Sequence, residues 1–202
     1  MLFASDIMST GFAAVENGGV AFGDTVAVFA QGPVGLCATA AARLRGAALI
    51  IAVEGIPARQ AVSRRLGADV VVEPGDAVAE IMRLTGGRGA DVAIEALGTQ
   101  TTFENCCRVT RSGGTVSSVG VYGAFPTLGL STQDPGFWNR KIVTTLCPVG
   151  TERLRRMIAL VQHGKVDLTP LITHQMPLSQ AIEGYALFKR RDSGVLKIAL
   201  RP

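Results

Sequence analysis

Residues 30–35 read Ala30-Gln31-Gly32-Pro33-Val34-Gly35, a GxGxxG-like turn whose first glycine is replaced by Ala30. The turn follows an apolar run at 25–30 and opens a run rich in alanine at 33–45, so a strand leads into it and a helix leaves it. In that setting Gly32 lets the backbone approach a pyrophosphate, and Gly35 lets the helix pack tightly on the strand. Pro33 sits at the first helical turn, where its missing N–H costs nothing. The free N–H groups there and the positive end of the helix dipole suit phosphate oxygens, with Val34 inside the same turn. Glu54 ends the next apolar run, 19 residues after Gly35. An acid at that point accepts protons from both ribose hydroxyls of an adenosine and repels a 2′-phosphate. No base stands at positions 55 or 56. These residues imply a dinucleotide site that takes NAD(H) in preference to NADP(H). S-adenosylmethionine-dependent methyltransferases also combine a glycine-rich turn with an acid on the second strand. Pro33 inside the turn argues against that alternative.

Other reactive side chains are sparse. The four cysteines (Cys37, Cys106, Cys107 and Cys147) form no CxxC pair, which implies reduced thiols and a cytoplasmic setting. Two histidines, His163 and His174, are too few and too far apart for a self-contained zinc site. The formal net charge of +4 is scattered, and the clusters Arg64-Arg65, Arg153-Arg155-Arg156 and Lys189-Arg190-Arg191 read as solvated helix faces, not as a nucleic-acid stripe. No run of apolar residues reaches the length of a membrane span, and the first residues lack the basic leader of a signal peptide.

The elements that must carry the turn alternate. Strands are expected at 25–30, 49–53, 69–72, 91–95, 115–119 and 142–146, with helices at 3–16, 33–45, 57–66, 77–84 and 101–109 between and before them. Nearly continuous Val, Ile and Ala in the strands implies burial on both faces. The fold class is therefore α/β: a doubly wound, mostly parallel Rossmann sheet with helices on both faces. After Pro148-Val149-Gly150 the rhythm changes to helices at 152–163 and 178–190 and a strand at 195–200. This implies a division into 1–150, the dinucleotide-binding domain with its N-terminal helix, and 151–202, a different module.

From about Ser5 to the C-terminus the sequence resembles the medium-chain dehydrogenase/reductase family, most closely its zinc-dependent secondary-alcohol dehydrogenases. The segments that carry the likeness are Asp6 to Gly11, Gly32 to Gly35, Ala42 to Ala47, Gly67-Ala68-Asp69, Ile94 to Gly98, Arg111 to Thr115, Val119 to Gly123, Leu146 to Gly150, Gly164 to Asp167 and Thr173-His174. The resemblance implies hydride transfer between a small alcohol or carbonyl substrate and a nicotinamide, with zinc polarising the alcohol oxygen in the intact enzyme. It implies that Asp6 is the third zinc ligand, the first two, a Cys and a His, lying in a catalytic part that precedes the match. Asp6 alone makes an incomplete zinc site, so this stretch by itself is expected to bind nucleotide without zinc-dependent turnover. Residues 151–202 would be the smaller, C-terminal piece of the catalytic domain.

The resemblance also assigns cofactor contacts. Thr10 faces the nicotinamide, and Ala96 and Leu97 form a turn beneath the adenine side. Gly120 and Val121 offer carbonyls to the carboxamide, and Lys197 reaches the pyrophosphate. Glu54-Gly55-Ile56 replaces the Gly-Ser-Arg triplet of the NADP-using relatives. It further implies a homodimer or homotetramer in which two sheets join edge to edge, through the region from 115–119 to 142–146, with the loop 124–138 as an alternative cover for that edge. Without a preceding catalytic part, Phe3, Ile7, Met8 and Phe12 are expected to expose apolar surface.

Overall fold

The computed structural model describes residues 3–123, 139–190 and 194–202. In chain order these form α1 (Ile7–Gly18), β1 (Thr25–Phe29), α2 (Pro33–Leu44), β2 (Leu49–Val53), α3 (Pro57–Arg65), β3 (Val70–Val72), α4 (Ala77–Leu84), β4 (Ala90–Glu95), α5 (Gln100–Val109), β5 (Thr110–Ser118), β6 (Lys141–Thr144), α6 (Thr151–Gln162), β7 (Ile172–Pro177), α7 (Ala181–Lys189) and β8 (Lys197–Arg201). The first six strands make one parallel sheet in the order β3-β2-β1-β4-β5-β6. The chain runs outward from β1 to β3, then returns to the other side of β1 and runs outward again. Strand order therefore reverses between β1 and β4, which leaves a crevice there at the carboxyl ends of the strands.

Side chains alternate across the sheet, and each face has its own core. Val26, Val28, Ile50, Ala52, Val92 and Ile94 pack with α1 and α2. Ala27, Phe29, Ile51, Val53 and Ala93 pack with Ala77 and Ile81 of α4 and with Phe103, Cys106 and Cys107 of α5. Helices on both faces explain why the strands read as unbroken apolar runs. All four cysteines are free thiols, and burial pushes the Cys37 thiol up to about 12 although Lys197 opposes it. Among the described residues no helix is long and apolar enough to cross a membrane.

Several details depart from the sequence reading. The first helix starts at Ile7, not at Phe3, and continues to Gly18. Its apolar residues are not left exposed: Ile7, Met8 and Phe12 are 7%, 0% and 6% exposed, because α1 lies against α2 and the sheet and they enter that core. Phe3 is half-buried against the same core. Arg153 is not on a solvated face either. Its guanidinium donates to the Ser9 carbonyl (2.9 Å) and Ser9 Oγ (3.1 Å) and pairs with Glu16 (2.7 Å), fastening α6 to α1. The fifth strand begins at Thr110, not at 115, and takes in Gly113 and Gly114, with a register shift opposite Ala90 and Val92. β7 was not foreseen. Its residues, Ile-Thr-His-Gln-Met-Pro, alternate between half-buried and exposed and pair in parallel with β8. The final strand begins at Lys197, after Val195 and Leu196, which are buried ahead of it. The loop 124–138 lies outside the described residues.

At the amino-terminal edge of the sheet, Asp91 ties three strands together. Its carboxylate accepts the Thr25 N–H (2.8 Å), Arg88 Nη1–H (3.1 Å) and Arg111 Nε–H (2.6 Å). Burial alone would raise its pKa; the Arg88 and Arg111 guanidiniums and the Thr25 amide outweigh that and hold it near about 2. A pKa depressed in the folded state stabilises above the unfolded value of about 4, and that stabilisation is lost as pH falls through the folded value. Asp91 is therefore expected to contribute about 2 kcal/mol at neutral pH, lost between about pH 4 and pH 2. Asp91→Asn should flatten that part of the stability–pH curve in chemical denaturation.

Ala30 sits at the opposite end of β1 with φ of 70°, a left-handed conformation that glycine adopts without strain. Relief of about 1–2 kcal/mol of strain outweighs the extra chain entropy of glycine, about 0.5–1 kcal/mol. Ala30→Gly should therefore stabilise the fold by roughly 0.5–1 kcal/mol, read as a higher denaturant midpoint at unchanged slope.

Candidate functional site

Because the sheet is parallel, the segments after β1, β2, β4 and β5 all emerge at one edge, around the reversal in strand order. These segments carry Gly32 to Gly35, Glu54, Ala96 and Leu97, and Gly120 and Val121. The structure thus gathers nine of the positions picked out in the sequence. At Gly35 a Cβ would overlap the Ala30 carbonyl oxygen, so only glycine lets α2 start directly against the end of β1. A Cβ at Gly32 would meet nothing, so open space lies over the turn. α2 begins with Pro33 and has no capping side chain and no acid in its first turn. A concave backbone with uncapped first-turn N–H groups fits a pyrophosphate.

Glu54 is buried beside this turn. Its Oε2 accepts the Gln31 N–H (2.9 Å) and its Oε1 accepts the Ile56 N–H (2.9 Å). Each carboxylate oxygen keeps further acceptor capacity for a ribose hydroxyl. The acid therefore braces the glycine turn. Arg59 was missed by the sequence reading. Its Nη1 lies 4.0 Å from Glu54 Oε2, and its Nη2 donates to the Val195 carbonyl (3.4 Å). Its Nε is buried without a hydrogen-bond partner. The available signal was its place in the first turn of the helix that opens at Pro57, which turns it back toward the acid.

On the other side of the reversal, Leu97 and Val121 are 48% and 79% exposed. They offer apolar surface at the crevice wall. Thr10 is buried on α1, and its hydroxyl donates to the Asp6 carbonyl (2.9 Å) and lies 3.3 Å from Asp6 Oδ1. Lys197 and Asp6 line one cavity of about 320 Å³ with Phe3 and Ile7. The Lys197 ammonium lies 5.9 Å from the centre of the Phe188 ring. The Cys147 thiol is directed at the carbonyl oxygens of Ser5 (3.6 Å) and Asp6 (3.7 Å). Among the described residues, no three His, Cys, Asp or Glu side chains come together to hold a metal ion. A catalytic zinc needs three protein ligands and an open position. Asp6 has no such fellows among the described residues, so the side chains described do not fit the ion. A larger cavity, about 730 Å³, lies between α1, α2 and α6. It reaches Leu44 and Arg45 at the far end of α2 and is separate from the crevice.

Comparison with known proteins agrees with this geometry. Residues 33–163 match the family described as zinc-binding dehydrogenase. An alcohol dehydrogenase of Cupriavidus necator is 53% identical over 204 residues, which cover 100% of this chain and 56% of that protein. An NADP-dependent isopropanol dehydrogenase of Thermoanaerobacter brockii is 36% identical over 197 residues, covering 95% of this chain and 56% of its own length. The solved structure of an alcohol dehydrogenase from Thermus sp. ATN1 superposes with a TM-score of 0.86 at 30% identity, over 98% of this chain and 57% of that one. The chain spans about half the length of the relatives it matches. A turn that can cradle a pyrophosphate, an acid at the end of β2 and a family match over most of the sheet converge, and the chain belongs to the zinc-binding dehydrogenase family.

Proposed function

We propose that this chain is the NAD(H)-binding part of an alcohol dehydrogenase, serving hydride transfer between a small alcohol or carbonyl compound and the nicotinamide. The observation that carries the proposal is the uncapped start of α2 beside Glu54, at the reversal between β1 and β4. When bound, the cofactor supplies the hydride acceptor or donor. The chain's own work is binding and orientation. The first turn of α2 holds the pyrophosphate, Glu54 accepts from the adenosine ribose, and Leu97 and Val121 exclude water from the wall. Lys197 supplies positive charge toward the pyrophosphate from β8. Under this proposal residues 1–150 form the nucleotide domain and 151–202 belong with the catalytic part. Among the described residues Asp6 has no fellow His, Cys, Asp or Glu with which to hold a metal ion. The names of the relatives favour a dehydrogenase over a methyltransferase.

Glu54 supports NAD(H) over NADP(H), because a 2′-phosphate would approach a buried carboxylate. Arg59 beside it tempers that repulsion, and removal of the acid would leave the guanidinium free to meet a phosphate. In fluorescence titrations NADH should bind about ten-fold or more tightly than NADPH, the scale of about 1–3 kcal/mol expected for an unfavourable charge contact. Glu54→Ala should narrow the ratio. Equal or tighter binding of NADPH by the unaltered chain would refute the preference.

We also propose self-association through β6, the edge strand on the β5 side of the sheet. Its Ile142 is 39% exposed, and Lys141 at its start is the one charge in the strand. A β-branched edge with little charge favours pairing with a second copy about a two-fold axis. Light scattering at micromolar concentration should give at least a dimer, and Val143→Lys should shift it to monomer. A monomeric mass for the unaltered chain would end this proposal.

A further inference from the structure

Glu95 is the last residue of β4 and is fully buried. Among the described residues its carboxylate is held by neutral donors from two stretches, one running from the loop after β4 into α5 and the other from the end of β5 into the loop after it. Oε1 accepts the Leu97 N–H (2.9 Å), the Gly98 N–H (2.8 Å) and the Thr102 hydroxyl (2.7 Å). Oε2 accepts the Tyr122 hydroxyl (2.9 Å) and, at 3.3 Å, the Ser118 hydroxyl. One oxygen therefore holds the loop after β4 and the other the loop after β5. The loops also touch: a Cβ at Gly120 would overlap both Glu95 Oε2 and the Gly98 nitrogen. Beneath them the Tyr122 ring stands edge-on to Phe103, with centroids 6.1 Å apart. Burial and the nearby Glu95 anion push the Tyr122 phenol up, so it stays protonated and donating. The two exposed wall residues, Leu97 and Val121, sit directly on the bonded stretches.

We propose that Glu95 is a positioning residue for the dinucleotide crevice: its carboxylate locks the loops after β4 and β5 together, and so sets where Val121 meets the nicotinamide half of the cofactor and where Leu97 lies beneath the adenine side. This rests on the dinucleotide reading given above. The role follows from the shape of the network. Five donors converge on one side chain, and removing it leaves buried N–H groups of Leu97 and Gly98 without an acceptor while releasing the second loop. A glutamine can replace it in geometry. Its carbonyl oxygen can face the two amides and the Thr102 hydroxyl. Its NH2 can donate to the Ser118 and Tyr122 oxygens, whose hydroxyls rotate to accept.

The test is a pair of titrations of the 202-residue chain, with NADH and with AMP, for wild type, Glu95→Ala and Glu95→Gln. AMP meets the α2 turn, Glu54 and Leu97, but lacks the nicotinamide half that Val121 meets. Glu95→Ala should weaken NADH by about ten-fold or more and AMP by less than about three-fold, because NADH loses both loops and AMP only the one that carries Leu97. Glu95→Gln should recover NADH binding to within about five-fold of wild type. The double variant Ser118→Ala/Tyr122→Phe frees only the second loop, and carries the test if Glu95→Ala does not fold. It should weaken NADH by about three-fold or more and leave AMP unchanged. Equal losses for both nucleotides, or an NADH affinity unchanged by Glu95→Ala and by the double variant, would overturn the proposal alone. A wild-type chain that binds neither nucleotide would overturn the dinucleotide reading and this proposal with it.

Discussion

The backbone of α2 at Gly35 lies directly against the carbonyl oxygen of Ala30, with no room for a side chain between them. This contact sets where the first helix of the nucleotide fold begins relative to the central strand. With α2 placed there, its alanine-rich face enters the core with α1, and its uncapped start opens into the crevice. The same turn is held from the side by Glu54 through the Gln31 amide. Moving α2 outward by the width of a methyl group would detach the acid from the turn and open the packing beneath it, because interiors packed at crystal density do not absorb such shifts.

Three buried carboxylates hold the sheet at its two ends in different ways. At the amino-terminal edge, Asp91 is balanced by the Arg88 and Arg111 guanidiniums, which are partly exposed at the surface. At the carboxyl edge, Glu54 and Glu95 are satisfied mainly by backbone amides and, for Glu95, by hydroxyls. Burying an anion is costly unless donors converge on it. Each such carboxylate therefore demands a defined backbone around it. Demand of that kind gives rigid loops, and rigid loops are what a cofactor site requires. The carboxyl end of the sheet is thus shaped by anions that organise amides, and the opposite end by ordinary ion pairs.

The alternation of strands and helices and the turn at 30–35 were legible because they depend on local pattern: the short unbroken apolar runs of the buried strands, the proline and glycine at the helix start, and the acid at a set distance. Thr10 lies on the first helix as expected, while Asp6, expected inside it, precedes its first residue and receives the Thr10 hydroxyl on its carbonyl. β7 escaped because Thr, His and Gln occupy a strand that is only half-buried, so no apolar run marks it. The expected exposure of Ile7, Met8 and Phe12 failed for a related reason. A helix stripe shows that a partner exists but not which partner, and here it is α2 and the sheet.

By itself the sequence determined the fold class, the glycine turn after β1, the acid that follows β2 and the family likeness, since each is written in residues close together along the chain. Only the tertiary structure decided the rest. It put Arg59 beside Glu54, turned Arg153 from a surface charge into a clamp between α6 and α1, and brought Lys197 to the same cavity as Asp6. It also made Glu95 a junction between two loops more than twenty residues apart in the chain. These depend on how distant segments meet when the sheet closes its core. Spacing along a sequence does not encode such meetings, because any one of many packings is compatible with the same local pattern until burial selects one.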